Sequence, residues 1–376
     1  MADLRRKYVH RAKRVVVKIG SRILSSERGL HARRIGRLVR ELAALHDQDK
    51  KLVVVSSGAI ASGLSRLGLA KRPRDLPQEQ ALAAVGQIRL MALYENSFGG
   101  HGKHVAQVLL THEDLANRQR YLNAKHTLKT LLDWNIIPIV NENDTVAVDE
   151  VKFGDNDQLS ALVATLMEMD LLVILSDVDG VFDRDPRSSP DARIIPVVSD
   201  LAAAKKAARD TAPSELGRGG MFSKLCAAEQ ASQAGIPTVI ANGREREVLL
   251  GLFDGSRESG TLVLPEENRL TSRKHWILHN LKPSGQVMVD NGALAAVTAK
   301  GKSLLPSGVR DIKGSFGAGA CVSCVDDSGR EFARGLVNYS ARELRQIKGS
   351  HSGKIASILG YKAYDEIIHR DDLVLL

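Results

Sequence analysis

The 376-residue chain is 43% hydrophobic and 26% charged, the composition of an ordinary soluble protein of two or three domains. It has no run of about 18 apolar residues, which excludes a membrane-spanning helix, and its three cysteines are too few for a disulfide framework or a four-thiolate zinc site. The net charge of +9 suits nucleic acid or small anionic ligands alike and does not choose between them.

The basic N-terminus runs through Lys13-Arg14 into Val15-Val16-Val17-Lys18. This apolar run is too short for a signal-peptide core and holds a lysine, so it reads as a strand, and the chain is expected in the cytoplasm. From there β-branched runs at Val15–Ile19, Leu52–Val55, Val105–Leu110, Ile136–Val140, Leu171–Leu175 and Thr238–Ala241 alternate with helical periodicity at Ile35–Leu45, Leu82–Tyr94, Ala124–Trp134, Leu159–Met169 and Met221–Ala234. Continuous apolar strands alternating with helices predict a mostly parallel sheet buried on both faces. Such a sheet binds ligands at the carboxyl ends of its strands.

After Pro265 the pattern changes. Residues 266–276 read as a polar linker. Residues 277–376 read as a small β-rich domain of hairpins, with strands at Gln286–Val289, Ala293–Val297 and Ala320–Val325 and turns at Asp290-Asn291-Gly292 and Asp326–Gly329. Cys321 and Cys324 fall in the last of these strands, with no second pair to complete a metal site, and read as buried reduced thiols.

Five motifs carry chemistry. Lys18-Ile19-Gly20-Ser21 ends the first strand, where a lysine and a glycine turn can approach a phosphate together, though four residues alone are more often a structural turn. Ser57-Gly58-Ala59-Ile60 follows the second strand, and its small residues leave room for a ligand or for close helix packing. Asn141-Glu142-Asn143-Asp144 and Gly154-Asp155-Asn156-Asp157 put carboxylates and amides on two successive loops. N-capping explains one of them, and the set suits a small zwitterion. Ser176-Asp177 opens a polar glycine turn running to Pro186, suited to a base and ribose. Last, Arg218, Gly219 and Gly220 lead into Met221-Phe222-Ser223-Lys224 at a helix start, a phosphate-binding arrangement that is not a Walker A sequence.

In this order the motifs resemble the amino acid kinase family and, within it, the glutamate 5-kinase branch. NEND together with GDND is the specific part, and the resemblance spans essentially the whole chain. Two positions depart from it: Ser176 and Arg218 stand where the family often has threonine. The resemblance implies a three-layer α/β/α sandwich over residues 10–265. It implies transfer of the γ-phosphate of ATP, with Mg²⁺, to the γ-carboxylate of L-glutamate, on the way to proline.

It further implies that Lys18 and Lys224 flank the moving phosphoryl group and that Asp157 orients them. Ser57, Asp144, Asp155 and Asn156 would bind glutamate, and Ser176, Asp177 and residues 218–224, with Lys18, would bind ATP. No protein side chain is expected to hold a metal. Proline is the expected inhibitor and a homo-oligomer the expected assembly. Another amino acid kinase, acting on aspartate or acetylglutamate, is the alternative.

Residues 277–376 resemble a PUA domain, through Ser303–Val309 and Ala333–Leu336. That module also occurs in RNA-modifying proteins, so an RNA-binding protein is the alternative from another class. Thirteen basic against ten acidic side chains in this segment are a weak footprint for RNA.

Overall fold

The computed structural model describes all residues except 1, 27–28, 70, 74, 148–155, 187, 212–219 and 267–271. The chain divides into two compact units, Met1–Arg269 and Leu270–Leu376. The central strands of the first are β1 (Arg14–Ile19), β2 (Lys51–Ser56), β3 (Val105–Leu110), β4 (Ile137–Glu142) and β5 (Leu171–Ser176). They are joined by β6 (Val197–Val198), β7 (Thr238–Asn242) and β8 (Thr261–Val263). The sheet order is β3-β4-β2-β1-β5-β7-β8-β6. The first six of these run parallel, and β8 pairs antiparallel with β7.

Side-chain alternation along β1 decides the two faces. Val15, Val17 and Ile19 enter a core with Leu38 and Leu42 of the Ala32–Asp47 helix, Leu90 and Tyr94 of the Leu76–Gly99 helix, and Val248 and Leu252. Val16 and Lys18 therefore face the opposite layer, where the Asn156–Leu166 and Met221–Gln233 helices lie against the sheet and each other. The result is three layers, with helices on both faces of a mostly parallel sheet, as the periodicities predict.

Two glycines set the position of one wall of the site. The Ala59–Leu67 helix crosses the Leu76–Gly99 helix where Gly63 and Gly86 meet. A Cβ on Gly86 would lie 1.8 Å from the Ala59 carbonyl oxygen, and one on Gly63 would lie 2.0 Å from that of Leu82. Only glycine permits this approach.

The second unit holds a five-stranded sheet in the order Val309–Gly314, Gly285–Val289, Cys321–Val325, Glu331–Leu336, Leu373–Leu375. The hairpin at Asp326–Gly329 forms as the sequence predicts, with Gly329 at φ +82°. The predicted strand Ala293–Val297 is instead part of a helix, Asn291–Thr298. Asp290 is its N-cap, its Oδ1 accepting the Ala293 N–H at 2.8 Å. The Asp-Asn-Gly signal read as a hairpin turn is a helix start followed by alanines, which favour the helix. Cys321 and Cys324 are buried, and burial pushes their thiols up to about 11 and about 12, so both are neutral at physiological pH.

Candidate active site

The carboxyl ends of β1, β2, β4 and β5 converge on a cleft of about 330 Å³. Its lining includes Lys18, Ser57, Gly58, Asn141, Asp144 and Asn156, with Ser176, Asp177 and Lys224 at one end. A second cleft of about 270 Å³ shares Arg22, Ser176, Asp177 and Lys224 with the first and continues over Val178, Val181, Phe182, Pro186, Gly220, Met221 and Phe222. The first is polar and follows the amide and carboxylate loops. The second has apolar walls and opens at the N-terminus of the Met221–Gln233 helix, whose N-cap is Gly220.

Three buried charges stand where the clefts join. Asp157 is 0% exposed, Lys18 2% and Lys224 4%. Asp157 Oδ1 pairs with Lys18 Nζ, and Asp157 Oδ2 accepts from Lys224 Nζ at 3.2 Å and from Ser223 Oγ at 3.3 Å. Lys224 Nζ also reaches the Gly220 carbonyl at 3.4 Å. One carboxylate thus serves two ammonium groups, leaving the cluster with one net positive charge beside the shared wall of the clefts. Burial of unpaired charge is costly, so Asp157 is the condition for keeping two lysines here.

Asn156 begins the same helix and turns the other way. Its Nδ2 donates to Ser57 Oγ at 2.8 Å, Asn141 Oδ1 at 2.9 Å and the Ser56 carbonyl at 3.2 Å. Asn141 Nδ2 in turn donates to Gln87 Oε1 at 2.9 Å, and Gln87 Nε2 to Gln107 Oε1 at 3.3 Å. This chain of amides fixes the orientation of each member. It leaves Asn156 Oδ1 buried at the cleft with no hydrogen-bond partner among the described residues. Behind it Ser56 Oγ bonds Tyr94 hydroxyl at 2.9 Å, and burial pushes that phenol well above its usual range.

At the second cleft Ser176 Oγ bonds Asp177 Oδ1 at 3.3 Å, and Arg22 pairs with Asp177 Oδ2 at 3.3 Å. Burial raises the Asp177 carboxyl, but the hydrogen bond and charge of Arg22 outweigh it and hold the group below the usual carboxylate range.

The structure therefore brings Lys18, Lys224, Asp157, Ser57, Asn156, Asp144, Ser176, Asp177, Gly220, Met221, Phe222 and Ser223 around one pair of clefts. Asp155, Arg218 and Gly219 lie outside the described residues. Sequence reasoning gave no role to Arg22, to Gln87, or to the pair Arg72–Glu79, 2.7 Å apart at the first cleft. Arg22 had a signal in its adjacency to Ser21. Gln87 had one in the stretch Leu82–Gln87, which resembles the family, but its place in mid-helix suggested no chemical role.

Comparison with known proteins agrees with this architecture. The sequence model of the amino acid kinase family matches residues 13–242, and that of the PUA domain matches residues 285–359. The chain belongs to the amino acid kinase family and carries a PUA domain in its second unit. It is 53% identical over 374 residues to the glutamate 5-kinase of Geobacter metallireducens, covering 99% of this chain and 100% of that one. It is 50% identical over 366 residues to the glutamate 5-kinase of Burkholderia thailandensis, covering 97% and 98%. Among solved structures, the carbamate kinase of Giardia lamblia bound to AMP-PNP aligns with a TM-score of 0.51 at 17% identity, covering 68% of this chain and all of that one, a likeness of fold alone.

Proposed function

We propose that the chain transfers the γ-phosphate of ATP to the γ-carboxylate of L-glutamate. The observation that carries this reading is the Lys18–Asp157–Lys224 cluster at the junction of a polar and an apolar-walled cleft. The second cleft takes the base and ribose between Phe182, Pro186 and Met221, with the phosphates at the Gly220 helix start. The first cleft takes glutamate. Its ammonium group meets Asn156 Oδ1 and Asp144, and Ser57 contacts the amino acid beside them.

A glutamate side chain is ionised at neutral pH, so the nucleophile needs no base. Catalysis is alignment plus stabilisation of charge on the moving phosphoryl group by two lysines. Asp157 is held between them and aims both.

Among the described residues no three carboxylate, imidazole or thiol groups gather to bind a metal. Magnesium would come with the nucleotide and would supply neutralisation of charge on its phosphates, beside Lys18 and Lys224. The acyl phosphate product is unstable and calls for prompt reduction. This fits a first step of proline synthesis in the cytoplasm, with proline as inhibitor and a homo-oligomer as the working assembly. Among the described residues no helix is long and apolar enough to cross a membrane.

Substrate choice tests the reading. N-acetylation replaces the three-donor ammonium by a single neutral N–H, so Asn156 Oδ1 and Asp144 cannot both be met, at about 1–3 kcal/mol, where each ~1.4 kcal/mol is tenfold. ADP release with glutamate is therefore expected to exceed that with N-acetylglutamate by about fivefold to a hundredfold. Equal or faster turnover of N-acetylglutamate, or of aspartate, would overturn the assignment.

Every residue given a role lies in the first unit. A chain ending at Arg269 is expected to keep kcat within about tenfold of the full chain, since domains with their own cores commonly fold apart. A soluble, folded but inactive fragment would mean that residues beyond 269 complete the site. RNA binding by the remaining segment is expected to be weak and to vanish with added salt.

A further inference from the structure

Beside the two clefts, and sharing no lining residue with either, the Ala32–Asp47 helix and the turn after β7 form a concave basin of about 510 Å³ rimmed by Arg33, Arg34, Arg37, Arg40, Arg244 and Arg246. The acidic groups beside these six guanidinium groups include Glu247 on the rim, Glu41 beneath, and Asp177, whose carboxyl the charge of Arg244 helps to lower. Glu41 is 1% exposed, and its Oε2 is taken by the Leu249 N–H at 2.9 Å. Its Oε1 lies 4.0 Å from Arg37 Nε, too far for a hydrogen bond. Charge in the basin is therefore far from balanced.

Two of the six guanidinium groups are held in place. Arg34 Nη1 donates to the Ile23 carbonyl at 2.9 Å, and Arg37 donates through Nη2 to Gly243 O at 2.8 Å and through Nη1 to Arg244 O at 3.0 Å. These bonds hold two guanidinium planes in place rather than letting them swing into solvent. Burial, then the charges of Arg244 and Arg37, hold Arg34 below its usual range. Like charges three and four residues apart on one helix face weaken that helix. Such crowding with fixed geometry is what a site for a multiply charged anion needs.

We propose that this basin binds a compact anion carrying two or more phosphoryl groups, either a nucleoside polyphosphate or a free polyphosphate, at a site separate from the catalytic clefts. A single phosphate neutralises too few of the six cations. A concave basin suits a compact ligand better than an extended strand, whose phosphates would be met by a stripe. The site adjoins the catalytic machinery through the backbone, because the Gly243 N–H donates to Ser176 O at 2.9 Å. The inference does not depend on which acceptor the kinase uses.

The test is binding of sodium tripolyphosphate to the full-length protein by titration calorimetry, comparing wild type with the double variant Arg33→Ser/Arg246→Ser. Both arginines are exposed and neither lines a catalytic cleft, so kcat and the KM for ATP should stay within about twofold and report correct folding. Wild type is expected to bind tripolyphosphate at one site more than the variant does, or at least tenfold more tightly, and orthophosphate at least tenfold more weakly. Arg40→Ser alone should weaken the same site. A matching titration with AMP-PNP tells whether a nucleoside is tolerated in the basin. Identical stoichiometry and affinity in wild type and variant would overturn the proposal. So would orthophosphate binding as tight as tripolyphosphate, or displacement of tripolyphosphate by a twelve-nucleotide RNA at lower concentration, which would make the basin a nucleic-acid surface.

Discussion

Replacing Lys18 or Lys224 by alanine is expected to lower kcat by a factor on the order of 10²–10³, with little change in the KM for glutamate. In the proposed reaction each lysine supplies charge where it develops in the transition state, in a site where the cluster is at most 4% exposed and solvent screens little. Loss of one lysine leaves Asp157 paired with the other, so the buried carboxylate keeps a partner and the fold should survive. Thermal unfolding and circular dichroism of the variants check this. Asn156→Ala makes the contrasting case. It removes the acceptor at the first cleft and the donor to Ser57 and Asn141, so its main effect should be a raised KM for glutamate. Lysine variants with near-normal kcat and raised glutamate KM would show that the roles are reversed.

Gly86→Ala is expected to destabilise the first unit by about 3 kcal/mol, the upper part of the range for overpacking. The new methyl would meet Ala59 O at 1.8 Å and Gly63 N at 2.5 Å, both backbone atoms on the facing helix. Neither can turn aside as a side-chain end would, so the two helices must part. At roughly 2–4 °C per kcal/mol for a unit of this size, the melting temperature should fall by about 6–12 °C. The KM for glutamate should rise as well, because Gly58 and Ala59 at the start of the displaced helix line the first cleft. Gly36→Ala is the control: it lies in a helix, and a Cβ there meets nothing within 4 Å. It should be neutral or slightly stabilising. Equal melting temperatures for the two variants would show that the crossing is looser than the structure has it.

Much of the architecture was legible because its causes are local. Apolar runs flanked by helical periods require a parallel sheet, and alternation along Val15–Ile19 requires Lys18 to face away from Val17. The small and polar residues after the strands, such as Ser57 and Ser176, fall at the carboxyl ends for the same reason, while Asn156, Asp157 and Lys224, at helix starts, were picked out by their motifs and the family resemblance. Where a local signal had two meanings the sequence misled. Asp290-Asn291-Gly292 serves a hairpin or a helix start equally well, and packing in the second unit selected the helix.

What the sequence determined by itself was the parallel sheet and the residues at its ligand-binding edge. That Asp157 orients both lysines was an expectation from the family resemblance, and only the tertiary structure shows the three side chains in contact. Strand order places β1 and the starts of the Asn156–Leu166 and Met221–Gln233 helices together, so that Asp157 lies between Lys18 and Lys224. The amide chain through Gln87, the Gly63–Gly86 crossing and the arginine basin likewise join segments far apart in the chain. Local propensity acts over a few residues. These groupings are set by which elements the buried core packs together, and a linear pattern carries no term for that.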